Sequence, residues 1–236
     1  MFQIQRGFGG AVGPRFPGTI ASLKWWFSGD SLNSQADNSS VSAWTDESSA
    51  GKDVSNSDSG QWPVLHKNSL NGHSGVYFGG GKRLYNASQS LGNAITAFFV
   101  FNFSGTTIDG MWDTAPGSGN NIMNYGGGST SQFDWLVEVP LFDMGLSAGT
   151  HQLCWEAYVT GGDTHHVPLW RDSSYISDTT AGSAAGIDWN NPGFGYQGYG
   201  GTLNNATLYE TLWFNEVLDS TTRTMVEDYL NTKYGL

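Results

Sequence analysis

Few residues in this chain are of types that do chemistry, and they fall in short stretches. In "DWLVEVPLFD", Asp134 and Glu138 are evenly spaced, so on a strand they share one face. Glu156, in the alternating run "HQLCWEAYVT", faces Glu138 if the two strands pair, and such a carboxylate pair is raw material for general acid–base catalysis. A solvated strand face is the plainer reading of the same acids. His165 and His166 are adjacent, point to opposite faces of a strand and cannot hold one metal ion together. The stretch "IDWNNPG" gathers Asp188, Asn190 and Asn191, hard oxygen donors on a tight loop, which is weak calcium-site material. It lacks the glycine and bidentate glutamate of a patterned calcium loop, and Asx turns explain the same residues, so no cofactor is required. Sugar binding has better material in the same region. Trp189, Asn190, Phe194, Tyr196 and Tyr199 set aromatic faces among amides and glycines, the composition of a pocket rim. Buried aromatics of a sandwich core account for them equally well.

The elements that must position these residues are strands. The 236 residues include 33 glycines, 14% aromatic residues and only 13% charged ones, with short apolar runs cut by Gly, Ser, Asn and Asp clusters. That texture is many short strands joined by turns, in one all-β domain. "NAITAFFVFNFS" is apolar on both faces and reads as a central strand, with "QFDWLVEVPLF" and "HQLCWEAYVT" as its core neighbours. "HSGVYFGGGKRLY" reads as a strand, a glycine turn and a second strand, and "ATLYETLWFN" as a late strand. A helix closes the chain. Asp219 or Ser220 caps it, Val226, Tyr229 and Leu230 form its apolar stripe, and Gly235 ends it.

In "LKWWFS", alternation sends Leu23, Trp25 and Phe27 to the core and Lys24, Trp26 and Ser28 to the other face. Trp26 is thus left to an arm, a neighbouring subunit or a ligand. Residues 1–22 read as an N-terminal extended arm preceding a domain at 23–236. The Gly and Pro of "GFGGAVGPRFPG" forbid a regular element, yet Phe2, Ile4, Phe8 and Phe16 are too apolar for a linker. With Arg6, Arg15 and Trp26 they are candidate assembly contacts.

Charge bounds the partners. The net charge is −11, split as +3 over the first 29 residues and −14 over the rest. An acidic body excludes nucleic acid as its partner, whereas a basic arm fits an acidic neighbour such as another copy of the chain. Cys154 is the only cysteine, so there is no disulfide framework. No apolar stretch of signal-peptide length opens the sequence and none approaches a membrane span, so it reads as a cytosolic product that leaves by lysis if at all.

Four stretches in order, "LKWWFSGDSLN", "VSAWTDESSAGKDV", "LNGHSGVYFGG" and "LYETLWFNEVLDSTTRTMVEDYLNTKYG", resemble laminin-G-like jelly rolls of the concanavalin A-like lectin/glucanase superfamily. The resemblance implies a two-sheet antiparallel jelly-roll sandwich with loops at a concave rim, and one short C-terminal helix. Retaining glycosidases of that superfamily carry acids about 5–5.5 Å apart on one strand. Here valine and leucine fill the positions that would complete their motif. With the arm, the resemblance points to a non-enzymatic virion structural protein of a bacteriophage, a capsid decoration or appendage subunit partnered by itself and other virion proteins. A carbohydrate-binding adhesion module recognising a surface glycan is the alternative, and a glycoside hydrolase with an atypical acid pair is the third.

Overall fold

The computed structural model describes residues 16–85, 90–103, 109–113, 121–124, 132–135, 139–143, 146–160, 164–182, 193–195 and 206–236. Sixteen strands lie within them: β1 (Leu23–Ser28), β2 (Ala43–Trp44), β3 (Val54–Ser55), β4 (Val64–Leu70), β5 (His73–Phe78), β6 (Leu84–Tyr85), β7 (Ile95–Phe103), β8 (Asp109–Asp113), β9 (Asn121–Asn124), β10 (Gln132–Trp135), β11 (Val139–Asp143), β12 (Gly149–Thr160), β13 (Thr164–Arg171), β14 (Ser174–Gly182), β15 (Gly193–Phe194) and β16 (Ala206–Phe214). The helix α1 (Ser220–Tyr234) follows. One antiparallel sheet runs β14-β13-β12-β7-β16-β5-β4, with β1 also paired to β16. The second runs β11-β10-β9-β8-β15-β6-β3-β2.

The apolar composition of β7 requires cover on both faces, and it has it. Between the sheets, Phe99, Phe101 and Phe103 join Trp25, Phe27, Trp44, Trp155 and Trp213 in one core. On the other face, Phe98 and Val100 join Trp26, Cys154, Leu212 and Phe214 in a second core closed by Val226, Leu230 and Tyr234 of α1. Trp213 is the hub of the first, with ring centroids 5.8 Å from Trp25, 5.3 Å from Trp155 and 5.3 Å from Phe99, all edge-to-face. Burial pushes the Cys154 thiol well above its usual range, so it behaves as a small apolar residue.

The helix ends as its sequence dictates. The Asp219 carboxylate accepts from the Thr221 and Thr222 amides at the N-terminus, and Gly235 adopts the left-handed φ of 69° at the C-terminus. The Asn71-Gly72 pair, with φ of 48° and 88°, turns β4 into β5 as an Asn-Gly hairpin does.

Three strand readings change. β12 does flank β7, but β10 and β11 belong to the opposite sheet, because alternation identifies a strand without naming its partner. Leu23 lies in the helix-side core with Trp26, not with Trp25. The register slips between Leu23 and Trp25, a β-bulge at Lys24 that reverses the alternation before it. Trp26 itself is 3% exposed and covered by its own chain, so it is not left for a neighbouring subunit or ligand. Phe16 does pack against that core, 5.7 Å from the Tyr229 ring. Phe2, Ile4, Arg6, Phe8 and Arg15 lie outside the described residues.

Trp213→Ala removes the hub of the first core and is expected to cost about 3–5 kcal/mol in chemical denaturation, as for other buried tryptophans. Asp219→Ala, which removes the helix cap, is expected to lower stability by less in the same measurement.

Candidate functional site

β16 carries one acid, Glu210, in the middle of "ATLYETLWF", and that lone charge in a buried strand is a signal visible in the sequence. A second bulge decides where it points. The register slips between Leu208 and Glu210, so Leu208 faces the inter-sheet core while Glu210 turns toward the helix. There it is fully buried. It accepts from Trp26 Nε1 at 2.6 Å, Tyr229 Oη at 2.9 Å, Lys233 Nζ at 2.7 Å and Tyr234 Oη at 2.8 Å. Lys233 Nζ also donates to Ser28 Oγ at 3.1 Å and lies 3.5 Å from Asp30 Oδ2. Burial, then the adjacent Glu210 charge, pushes the Tyr234 phenol far above its usual range, so it remains a donor. For Asp30, burial raises the carboxyl, but the Ser74 amide, the His73 ring 2.7 Å away and Lys233 outweigh it and hold it below the usual carboxylate range. Three of these donors come from the helix and one from β1, so Glu210 joins helix and strand β1 to β16, an architecture of attachment.

A different arrangement lies on the same sheet face toward its β14 edge. Leu153, Trp155 and Ala157 of β12 point into the inter-sheet core, so Glu156 and Tyr158 point away from it. Register brings Trp170 beside Cys154 and His166 beside Tyr158 on β13, then Tyr175 beside Trp170 on β14. Tyr158 and His166 stack with centroids 5.1 Å apart and planes 9° from parallel. His166 Nδ1 is 3.4 Å from Asp178 Oδ2. Trp170 meets Tyr175 edge-on at 5.7 Å and carries the Arg223 guanidinium 3.8 Å above its ring. Tyr175 is 57% exposed.

Arg223 ties the helix to this face. Its Nη1 donates to Glu156 Oε1 at 3.3 Å, and its Nε lies 3.8 Å from Glu227 Oε1. Burial raises both carboxyls above their usual range, with Arg223 opposing it. Glu156 lies opposite Thr96 of β7. β12 pairs with β7 and β13, whereas the strands flanking Glu138 are in the other sheet, and Glu138 itself lies outside the described residues. Among the described residues no group of three His, Cys, Asp or Glu side chains is placed to hold a metal ion. The calcium candidates Asp188, Asn190 and Asn191, and the rim candidates Trp189, Asn190, Tyr196 and Tyr199, lie outside the described residues. Phe194, grouped with that rim in the sequence, is buried in the inter-sheet core against Phe27 and Trp44.

No protein-family model matches the sequence, and no curated protein matches it. Solved structures do match the fold. A GH54 α-L-arabinofuranosidase soaked with a cyclic sulfate inhibitor superposes with a TM-score of 0.59 at 12% identity, over 91% of this chain and 60% of that one. Domain 4 of AbnA, a GH43 extracellular arabinanase from Geobacillus stearothermophilus in complex with arabinotriose, gives 0.58 at 10% identity, over 87% of this chain and 98% of that domain. The binding domain of Paraclostridial Mosquitocidal Protein 1 gives 0.60 at 11% identity, over 89% and 53%. This chain spans about three-fifths of the arabinofuranosidase and about half of the mosquitocidal binding domain. Identities this low establish a shared β-sandwich fold and nothing finer.

Lys233→Met strands a buried carboxylate and is expected to cost about 3–5 kcal/mol in chemical denaturation, and adding Glu210→Gln is expected to recover part of that loss. Asp30, held low, contributes stability that is complete above its unfolded pKa of about 3.9 and is lost as pH falls through its lower folded value. Asp30→Asn is therefore expected to flatten the acid limb of a stability-versus-pH curve.

Proposed function

We propose that this chain is a non-enzymatic, lectin-like module that contacts a glycan. The observation that carries this reading is the exposed face of β12–β14, where Tyr158, His166, Trp170 and Tyr175 present rings beside the Asp178 carboxylate. Sugars are bound by that combination of apolar ring and hydrogen-bonding acid. Sharing a sandwich with an α-L-arabinofuranosidase and with a domain of an arabinanase bound to arabinotriose supports the reading at the level of fold only. Glu156 and Glu227 favour a non-enzymatic role, since both are buried and bound to one arginine rather than turned to a substrate. Trp189, Asn190, Tyr196 and Tyr199 are proposed as a further rim contribution, with a calcium ion on Asp188, Asn190 and Asn191 as its organiser. On a glycan array, Tyr175→Ala is expected to weaken the strongest signal with the melting temperature unchanged, and Trp189→Ala to weaken it too. An array with no signal above background refutes the reading.

A second reading is favoured by the charge split of +3 over the first 29 residues against −14 over the rest. In it the sandwich is a bacteriophage virion subunit, a capsid decoration or appendage protein, fastened by residues 1–22 to other copies and to other virion proteins. Deleting residues 1–15 is then expected to abolish oligomers in light scattering while leaving the melting temperature in place. Oligomers that survive the deletion contradict it.

A further inference from the structure

The charges around the exposed face narrow the ligand class. Glu156, Asp178 and Glu227 are carboxylates on or beside it, and Asp228 follows Glu227 on the helix. Arg223 is the cation bound among them, and it already lies between Glu156 and Glu227 and over Trp170. His166 uses its Nδ1 on Asp178 Oδ2, which leaves Asp178 Oδ1 outside that pair. The Asp178 side chain is 34% exposed. Burial raises the Tyr158 phenol, and the charges of Asp178 and Glu156 push it further, which places both carboxylates close to that ring. Carboxylates beside the half-buried Tyr158 ring and the exposed Tyr175 ring repel an anionic sugar. The face attracts a cation, by the ring quadrupole and by the carboxylate together.

We propose that the face of β12–β14 binds a saccharide bearing free, protonated amino groups, a de-N-acetylated hexosamine chain, with Tyr158 and Tyr175 as walls and Asp178 as counter-charge. This rests on the glycan-binding reading above and makes it specific. An ammonium seated on this face gains an ion pair with Asp178 and a tyrosine face, whereas N-acetylation removes the charge and both gains.

The test is calorimetry on the full chain with three probes: a glucosamine hexamer at a pH where its amines are protonated, the N-acetylated hexamer, and a sulfated oligosaccharide of similar length. The glucosamine hexamer is expected to bind tightest, and Asp178→Asn and Tyr175→Ala each to weaken it about threefold to tenfold, the range of a partly exposed charge or ring contact. Asp58→Asn, an exposed acid that caps the turn at Gly60, is expected to change nothing. Equal or tighter binding of the acetylated or sulfated probe overturns the proposal while leaving a glycan-binding module standing. So does an equal effect of Asp58→Asn, which marks general attraction of a polycation to an acidic protein. Silence from all three probes, with an array that is also silent, overturns the glycan reading itself.

Discussion

One buried carboxylate joins the parts of this protein. Glu210 brings Trp26 of β1, and Tyr229, Lys233 and Tyr234 of α1, onto a single strand of the central sheet. A carboxylate removed from water is costly unless its lone pairs are met, and here they are met by four donors, one of them charged. Lys233 extends the network to Ser28, and through Asp30 to His73 and Ser74 of β5. The helix is held by this polar centre as well as by the apolar stripe around it, which fixes its position over the sheet more narrowly than packing of Val226 and Leu230 alone.

That fixed helix also shapes the neighbouring face. Its Arg223 reaches over Trp170 and pins Glu156, so the strands at the β14 edge present a built surface of rings and acids rather than a bare sheet. The helix attachment and the proposed recognition surface thus lie on the same side of the same sheet. The Glu210 end is closed by its own chain, and the end bearing Tyr175 and Asp178 is exposed.

Much of the architecture could be read from residues alone. The two-faced apolar run of β7, the Asp219 and Gly235 caps and the opposed tryptophans of β1 followed from period and cap chemistry. What escaped were the bulges, at Lys24 and next to Glu210, since an extra residue leaves no mark in composition yet reverses every face beyond it. The exposed face escaped for another reason. It is assembled from alternate positions on three strands, Glu156 and Tyr158, His166 and Trp170, Tyr175 and Asp178, and no one of them is a local motif. The polar and aromatic alternates of "CWEAYVT" and "HHVPLW" were its only trace. The separation of β10 and β11 from β12 escaped on the same ground, because sheet membership is a tertiary property.

The claim that recognition resides on β12–β14 is tested most directly by amide hydrogen exchange of the full chain with and without saturating glucosamine hexamer. The account expects slowed exchange concentrated in residues 156–180, with β4 and β5 at the opposite edge of the sheet unchanged. Slowing confined to other segments, or none with the hexamer demonstrably bound, contradicts it.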